Sequence, residues 1–284
     1  MIKLKLFDCL LAIQLFIVPF GQIFAQENDD LAACTEPAPR DGIYLDKSQE
    51  RPILQQPHLE QRDVMWEKKI WREIDLKELR NQHFAYENRP LASILMNAAF
   101  EGKIKAYSNG DDRFSKRISA NDLKEILEKT DTFTVTDPLT GLDDITTAKR
   151  TFDPHEVVRF RIKEITYFDS KLSRMNTRII GIAPIKQFYS SNGDLLAHTP
   201  ICWFYFDEIR PLLASESSFN SNNDIKSFSW DDVFLSRYFS SFIVKESNVK
   251  DARLADMYSG IDVLHEGEKI KEGIRNYEGD LFGN

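Results

Sequence analysis

The sequence predicts an α+β fold, in which antiparallel sheets pack against helices in two loosely similar halves. Alternating apolar residues in the second half are typical of β-strands, and several segments combine an apolar stripe with a capping residue or a glycine stop, which is typical of helices. The 284 residues are 42% hydrophobic, enough to build a core. The net charge of −8 argues against binding to nucleic acid, which needs a basic face.

Residues 1–25 have the organisation of a secretory signal peptide. Lys3 and Lys5 precede an apolar run from Leu10 to Phe20, and Ala25 supplies a small residue at the cleavage position. The apolar run is too short to span a bilayer. We therefore expect an exported chain without a membrane anchor of its own.

Residues 26–62 are expected to form an extended N-terminal tail, because they contain four prolines, many charges and no sustained periodicity. The scattered apolar residues Tyr44, Ile53 and Leu54 suit a segment that lies along a partner protein. A solvated linker is the alternative, and the sequence does not separate the two.

Two cysteines, Cys34 and Cys202, follow the signal segment. A disulfide between them is possible, but we favour Cys202 as a small buried residue and Cys34 as free or paired with a partner chain. Residues 31–34 match the letters of a lipoprotein cleavage box. The charged residues 27–30 interrupt the apolar run that such a box must follow, so we do not expect lipidation.

The first half, residues 63–135, begins with a segment over 66–76 that is compatible with either a strand or a helix. A helix is predicted from Pro90 to Glu101, with Gly102 as its stop, and a short strand should follow.

A capping box over 119–122 predicts a second helix with Leu123, Ile126 and Leu127 inside. Residues 136–156 are polar, and we expect a turn-rich connection there.

The second half, residues 157–284, carries the strongest strand signals. Apolar positions alternate over 158–162 and then change parity, which predicts a bulge near Lys163 and Glu164. A second strand is expected over 177–189, followed by an Asn192-Gly193 hairpin turn. A third strand should end in the apolar run 201–206, which is buried on both faces or meant for a partner.

Two helices should close the second half. A capping box at Ser229 and Asp232 opens the first of them. The last has one apolar face and is weakened by two glycines at about 1 kcal/mol each relative to alanine, so it needs a neighbour. That face consists of Val263, Ile270, Ile274, Tyr277 and Leu281.

No pattern in the sequence predicts a catalytic residue, a cofactor site or a metal site. The five histidines lack ligand spacing, and nucleophile-elbow, phosphate-loop and dinucleotide-binding patterns are missing. Aromatic residues such as Trp203 and Tyr205 could instead line a ligand pocket or an assembly interface.

Several stretches, read in order, resemble the GldN/PorN family of gliding-motility proteins from about Trp66 to the C-terminus. They are Trp71-Arg-Glu-Ile-Asp-Leu76, Arg159-Phe-Arg-Ile-Lys-Glu-Ile165, Arg178-Ile-Ile-Gly-Ile-Ala-Pro-Ile185, Trp203-Phe-Tyr-Phe-Asp-Glu-Ile-Arg-Pro-Leu-Leu-Ala214, Trp230-Asp-Asp-Val-Phe234, Arg237-Tyr-Phe-Ser-Ser-Phe-Ile-Val-Lys-Glu-Ser-Asn248, Glu268-Lys-Ile-Lys-Glu272 and Asn276-Tyr-Glu-Gly-Asp-Leu-Phe282.

The resemblance implies a non-enzymatic periplasmic component of the type IX secretion system of Bacteroidetes. Its partner would be a GldK/PorK-like lipoprotein, with which it would form a ring beneath the outer membrane. Ring closure requires heterologous contacts between neighbours. Our candidate contact residues are Tyr44, Ile53, Leu54, Trp203, Tyr205, Ile274 and Tyr277. The alternative is a periplasmic ligand-binding protein or hydrolase that uses an aromatic cleft.

Overall fold

The computed structural model describes residues 52–127, 129–136, 143–150, 152–189, 195–220 and 228–282. The predictions for the signal segment 1–25, Cys34, Tyr44 and the Asn192-Gly193 turn lie outside these residues, as does most of the predicted tail.

The described residues form both helices and strands, so the α+β prediction is confirmed. The strands are β1 (Val64–Asp75), β2 (Ala106–Tyr107), β3 (Arg117–Ile118), β4 (Lys129–Thr136), β5 (Asp143–Arg150), β6 (Val157–Asp169), β7 (Arg174–Tyr189), β8 (Leu195–Pro200), β9 (Phe204–Tyr205), β10 (Ser217–Ser218), β11 (Phe228–Ser229) and β12 (Phe242–Glu246). The helices are α1 (Leu91–Phe100), α2 (Ala120–Leu127), α3 (Phe206–Ser215), α4 (Trp230–Leu235), α5 (Leu254–Met257) and α6 (Asp262–Phe282). Short 3₁₀ turns cover Gln61–Asp63, Leu79–Ala85 and Pro154–Glu156.

One antiparallel sheet organises the molecule, in the order β12-β1-β6-β7-β8, and β9 pairs with β7. Strand β1 from the predicted first half therefore lies between β6 and β12 from the predicted second half. The pairs β2-β3, β4-β5 and β10-β11 are separate small ribbons. The strands of the largest sheet therefore come from both predicted halves.

The predicted bulge near Lys163 and Glu164 is confirmed in the pairing of β6 with β7. Lys163 lies opposite Gly181 and Glu164 opposite Ile179, so the extra residue is Ile180 on β7. Strand β6 itself keeps its alternation against β1 across this point. The apparent change of parity therefore marks a charged residue, Glu164, at a core-facing position.

One face of the sheet packs against α1, α3 and α4 to form the main core. Phe84 lies at its centre, and its ring centroid is 5.0 Å from that of Trp230 and 5.8 Å from that of Phe160. Ile74 and Ile162 of the sheet are fully buried beneath it. Other large buried members of this core include Leu91, Leu95, Ile182, Phe204, Phe206, Ile209, Leu213 and Phe234.

The helices start and stop largely where the sequence predicts. Pro90 is the N-cap of α1, and Gly102 has a φ of 72° just beyond its end, a conformation that glycine adopts without strain. Ser229 and Asp232 form the expected reciprocal capping box of α4. In α2, however, Ile126 is 56% exposed rather than inside. Only Leu123 and Leu127, one helical turn apart, face the core.

The prediction that a third strand ends in the run 201–206 is only partly correct. Strand β8 stops at Pro200, β9 returns to pair with β7, and α3 begins at Phe206. Cys202 is fully buried, as are Phe204 and Phe206 in the same run. Burial on all sides removes the alternation that separates strand from helix, so an apolar run alone could not reveal α3.

The range 136–156 is not a turn-rich connection throughout. Residues 143–150 form β5, which pairs with β4 from Asp143 opposite Thr136 to Arg150 opposite Lys129. Threonine and other β-branched residues recur along both segments, and these residue types favour strands even when the segment is polar.

Candidate interaction surfaces

The segment 52–60 is attached to the domain through its main chain. Arg210 donates from Nη2 to the carbonyl of Leu54 at 2.6 Å, and Arg178 donates from Nη2 to the carbonyl of Pro57 at 3.0 Å. Ile53 is half-buried, whereas the Leu54 side chain is 70% exposed. The two arginines therefore hold the backbone and leave the Leu54 side chain facing solvent.

Arg210 can do this because Asp231 fixes its guanidinium group. Nε donates to Oδ1 at 2.9 Å and Nη2 donates to Oδ2 at 3.0 Å, in a bidentate pair that joins α3 to α4. Both residues are buried. A bidentate buried pair fixes orientation as well as charge, so the attachment of Leu54 depends on an interior ion pair.

Asp63 ties the end of this segment to the turn between β6 and β7. Its carbonyl accepts hydrogen bonds from the main-chain N–H and the hydroxyl of Ser170, both at 2.9 Å. Its carboxylate pairs with Lys171 at 2.6 Å, and the hydrogen bond from that ammonium group lowers the pKa of Asp63. The predicted tail 26–62 thus ends in residues that adjoin the folded domain.

Helix α6 covers the outer part of β1 and β12. Ile274 packs with Val263 and Ile270 against a small apolar cluster built on Ile70 and Ile243. The Tyr277 ring stacks on Trp66, with centroids 4.8 Å apart. The inner sides of Ile274 and Tyr277 are therefore occupied by their own sheet.

Gly267 is the point at which α6 comes closest to the sheet. A Cβ placed there would lie 3.1 Å from the carbonyl oxygen of Ile243, whereas a Cβ at Gly273 would meet nothing within 4 Å. Gly267 thus permits close packing, whereas Gly273 and Gly279 have open space at the Cβ position and only weaken the helix.

An exposed apolar patch lies where the chain enters α6. We call it the α6 entry patch, and it consists of Met257, Tyr258, Ile261 and Leu264. Ile261 is 68% exposed and Leu264 50% exposed. Four exposed apolar side chains within eight residues are more than the isolated ones that monomer surfaces usually carry. The apolar periodicity of α6 predicts only its inner face, so this patch was not expected from the sequence.

Trp203 and Tyr205 lie mostly inside. Trp203 is 2% exposed and packs with Trp71 and Ala183. Tyr205 is half-buried, with its ring edge-on to Phe114. These two aromatic residues therefore build the interior and offer little area to a partner.

The face of the sheet opposite the main core carries buried ion pairs. Glu73 accepts two hydrogen bonds from Arg161, at 3.0 and 2.5 Å, and one from Arg159 at 3.2 Å. Arg159 also donates to Asp75 at 3.0 Å. These residues are cross-strand neighbours on β1 and β6. These four charges are thus paired within the sheet itself.

Trp71 continues this face, between two lysines. The ammonium groups of Lys245 and Lys163 lie 4.4 and 5.4 Å from its ring centroid, which is cation–π distance. Each lysine also has an acidic neighbour: Lys245 pairs with Asp251 at 2.6 Å, and Lys163 bonds to the Asp112 carbonyl at 2.6 Å. The Trp71 indole is therefore held by two lysines, whose ammonium groups are positioned by Asp112 and Asp251.

A cavity of about 420 Å³ opens beside this tryptophan, and we call it the Trp71 cavity. Its walls come from β1, β6 and β12, from the chain at the end of β8, and from the segments 109–113 and 251–256, the second of which includes the start of α5. The lining residues are Trp71, Asn109, Gly110, Asp111, Asp112, Arg113, Arg161, Pro200, Trp203, Val244, Lys245, Asp251, Arg253 and Asp256. Nothing in the sequence placed these distant segments together.

Phe114 fixes the first of these loops to the sheet. Its ring lies directly over Gly181, where any Cβ would overlap it, and it meets Trp203 and Tyr107 edge-on. Phe114 has a φ of 59°, which is uncommon for a bulky residue. Packing over Gly181 compensates this backbone strain and holds the loop that forms one cavity wall.

The described residues contain no grouping of His, Cys, Asp and Glu arranged to hold a metal ion. Burial lowers the pKa of His83 to about 4, and the imidazole stacks on Trp230 with centroids 5.8 Å apart. Burial also raises the pKa of the Cys202 thiol well above its usual value. Both groups behave as core residues.

Among the helices of the described ranges, none has the length and apolar character of a membrane span.

The family comparison gives one result. A family described as "Gliding motility associated protein GldN" matches residues 59–283, which include all the helices and strands described above. No curated protein matches the chain.

Proposed function

Because this chain belongs to the GldN family of gliding-motility-associated proteins, we propose that it is a structural, non-enzymatic subunit of the periplasmic ring of the type IX secretion and gliding machinery. It acts by binding a GldK/PorK-like outer-membrane lipoprotein and neighbouring copies of itself. The family match over residues 59–283 is the observation on which this proposal chiefly depends.

Two surfaces support a role in assembly. The α6 entry patch exposes Met257, Tyr258, Ile261 and Leu264, and such patches are characteristic of protein interfaces. The segment 52–60 is held by its carbonyl groups while the Leu54 side chain faces outward. Together they give the subunit two separate contact elements, as an asymmetric ring contact requires.

The proposed location follows from the signal-like residues 1–25 and from the partner. After export, the chain is held at the inner face of the outer membrane by the lipid of the lipoprotein. Cys34 therefore needs no acyl group of its own.

Co-purification with the lipoprotein tests the tail. Both deletions keep Asp63 and its bonds to Ser170, but only deletion of 26–62 removes the chain held by Arg210 and Arg178. We expect the shorter deletion to reduce recovery of the lipoprotein and the longer one to abolish it. Full recovery with both deletions would remove the tail from the interface.

Substitution in the α6 entry patch tests the other surface. Ile261→Glu and Leu264→Glu should shift the high-mass complex of both proteins towards single subunits in sedimentation. Leu79→Glu is the matched control, because Leu79 is 87% exposed and lies outside the patch. If all three variants behave alike, the patch is not the contact. If the purified wild-type chain remains monomeric with the lipoprotein, or turns over a substrate alone, the proposed function is wrong.

A further inference from the structure

Acidic side chains flank the α6 entry patch. From Asp256 to Glu268, the stretch that contains all four members of the patch, the sequence has four carboxylates and no lysine or arginine. A shallow cleft of about 580 Å³ lies between Tyr258 and the first turns of α6, and its lining contains four carboxylates and one lysine. Lys269 and Lys271 pair with two of the carboxylates at the surface, where such pairs are weak. A partner that fits this surface therefore combines apolar side chains with positive charge.

A second exposed surface, at the turn between β6 and β7, is basic. We call it the β6–β7 turn patch, and it consists of Lys171, Leu172, Arg174 and Arg178. The range 170–178 contains three cationic side chains and no carboxylate, and Leu172 is 49% exposed. Arg178 donates to a neutral carbonyl, and neither Arg178 nor Arg174 forms an ion pair within the described ranges. The patch thus combines an exposed leucine with two unpaired guanidinium groups.

The carboxylates next to this turn are buried. Asp63 and Asp169 are each 5% exposed. Asp169 accepts the main-chain N–H groups of Lys171 and Leu172, at 2.9 and 3.1 Å, and Asp63 pairs with the Lys171 ammonium group. These bonds fix the shape of the turn, and of the three cationic side chains they engage only Lys171.

The two patches lie at opposite ends of β1. Val64 lies opposite Asp169, beside the β6–β7 turn. Gly267, near the start of α6, packs on Ile243, which lies opposite Arg72. Eight positions separate Val64 from Arg72, which is about 26 Å along a strand. The far end of α6 stacks near the start of β1, so the entry of α6 lies at the end of β1 away from the turn.

We propose that the α6 entry patch of one copy binds the β6–β7 turn patch of the next copy. This inference rests on the proposed function, and it names the two surfaces that meet between neighbouring subunits. Leu172 meets the apolar side chains of the entry patch, and Arg174 and Arg178 face its carboxylates. Because the two patches differ and lie at opposite ends of a strand, the contact is heterologous and repeats from copy to copy.

Charge reversal on each side tests the contact in the complex with the lipoprotein. Glu268→Arg and Arg174→Glu both change exposed positions. Each should raise the dissociation constant between copies by about tenfold or more in sedimentation, because like charges then face each other. The variant with both reversals should associate more tightly than either single variant. Glu125→Arg and Lys116→Glu are matched controls at exposed positions outside the two patches, and they should behave as the wild type.

Cysteine cross-linking reports the contact directly. Ser173 and Ser259 are exposed and adjoin the two patches, Cys34→Ser removes a competing thiol, and Cys202 is fully buried. Ser173→Cys combined with Ser259→Cys, treated with a flexible bis-maleimide in the complex, should give covalent chains of three and more copies. A contact related by a two-fold axis would stop at the dimer. Ser173→Cys with Asn121→Cys, which is exposed on α2, is the matched control and should give no such chains.

This contact and the proposed function fail in different ways. If the wild type forms no high-mass complex with the lipoprotein, both are wrong. If the complex forms but cross-linking stops at the dimer, or the control pair cross-links equally, the contact is wrong and the proposed function stands. The same holds if both charge reversals leave the association of copies unchanged, or if Glu268→Arg weakens only the binding of the lipoprotein. Chains of three and more copies, together with weakening by both reversals, support the contact.

Discussion

The buried pair between Arg210 and Asp231 makes the sharpest stability prediction. Asp231→Ala removes the partner of a guanidinium group that is only 5% exposed. The arginine would keep the Leu54 carbonyl as an acceptor, which carries no full charge. An uncompensated charge would then remain between α3 and α4.

The size of the effect follows from that burial. Removing one member of a buried ion pair usually costs about 3–5 kcal/mol, because the remaining charge stays desolvated. Replacing both members by apolar residues is often close to neutral. Asp231→Leu combined with Arg210→Met should therefore lie within about 2 kcal/mol of the wild type. Leu54 is exposed, so its carbonyl can exchange Arg210 for water at little cost.

Urea unfolding followed by tryptophan fluorescence measures these changes, because Trp230 precedes Asp231 and is 1% exposed. Glu268→Ala is the control. Its pair with Lys271 is solvent-exposed, so the free energy of unfolding should change by less than about 1 kcal/mol. A loss below about 1 kcal/mol for Asp231→Ala, or a double variant less stable than the single one, would refute the reasoning.

Two other predictions concern glycine and histidine. Gly267→Val should loosen α6, because its Cβ would press on the Ile243 carbonyl, whereas Gly273→Ala should stabilise the chain by up to about 1 kcal/mol. Hydrogen exchange along α6 measures the loosening, and thermal unfolding measures the change in stability. Equal effects of the two substitutions would contradict the packing role of Gly267. Burial lowers the pKa of His83 to about 4 from an ordinary 6.5, so the unfolded chain binds this proton more readily and stability should fall as the pH drops from 6.5 to 4. Allowing for its partial exposure, the loss is about 2 kcal/mol. This loss of stability should vanish in His83→Gln but persist in His265→Gln, the control at an exposed site. Unfolding curves recorded at pH 6.5 and at pH 4 for each variant measure the loss.

Much of the sheet could be predicted from local sequence. Alternation over residues 157–189 located β6 and β7, and the change of apolar parity near Glu164 pointed to the bulge between them. Capping residues such as Ser229 act within a few residues, so α4 was also visible. These features depend on short-range backbone preferences, which a sequence expresses directly.

The parts that could not be predicted depend on long-range contacts. The pairing of β12 with β1 joins residues more than 160 positions apart, as in Glu73 opposite Phe242. The Trp71 cavity likewise needs segments that lie far apart in the chain, from Trp71 to Asp256. The exposure of Ile261 also depends on how α6 lies on the sheet, which its periodicity does not specify.

The paired charges between β1 and β6 help to specify the register of these two strands. Glu73 lies directly opposite Arg161, and Asp75 directly opposite Arg159. A slip of β6 by one position would turn Arg159 and Arg161 towards the helices that cover the core and turn Phe160 and Ile162 away from them. Glu73 and Asp75 on β1 would then lose both arginine partners. A misaligned pairing would lose both the ion pairs and the apolar packing, so the charged residues and the core residues favour the same register.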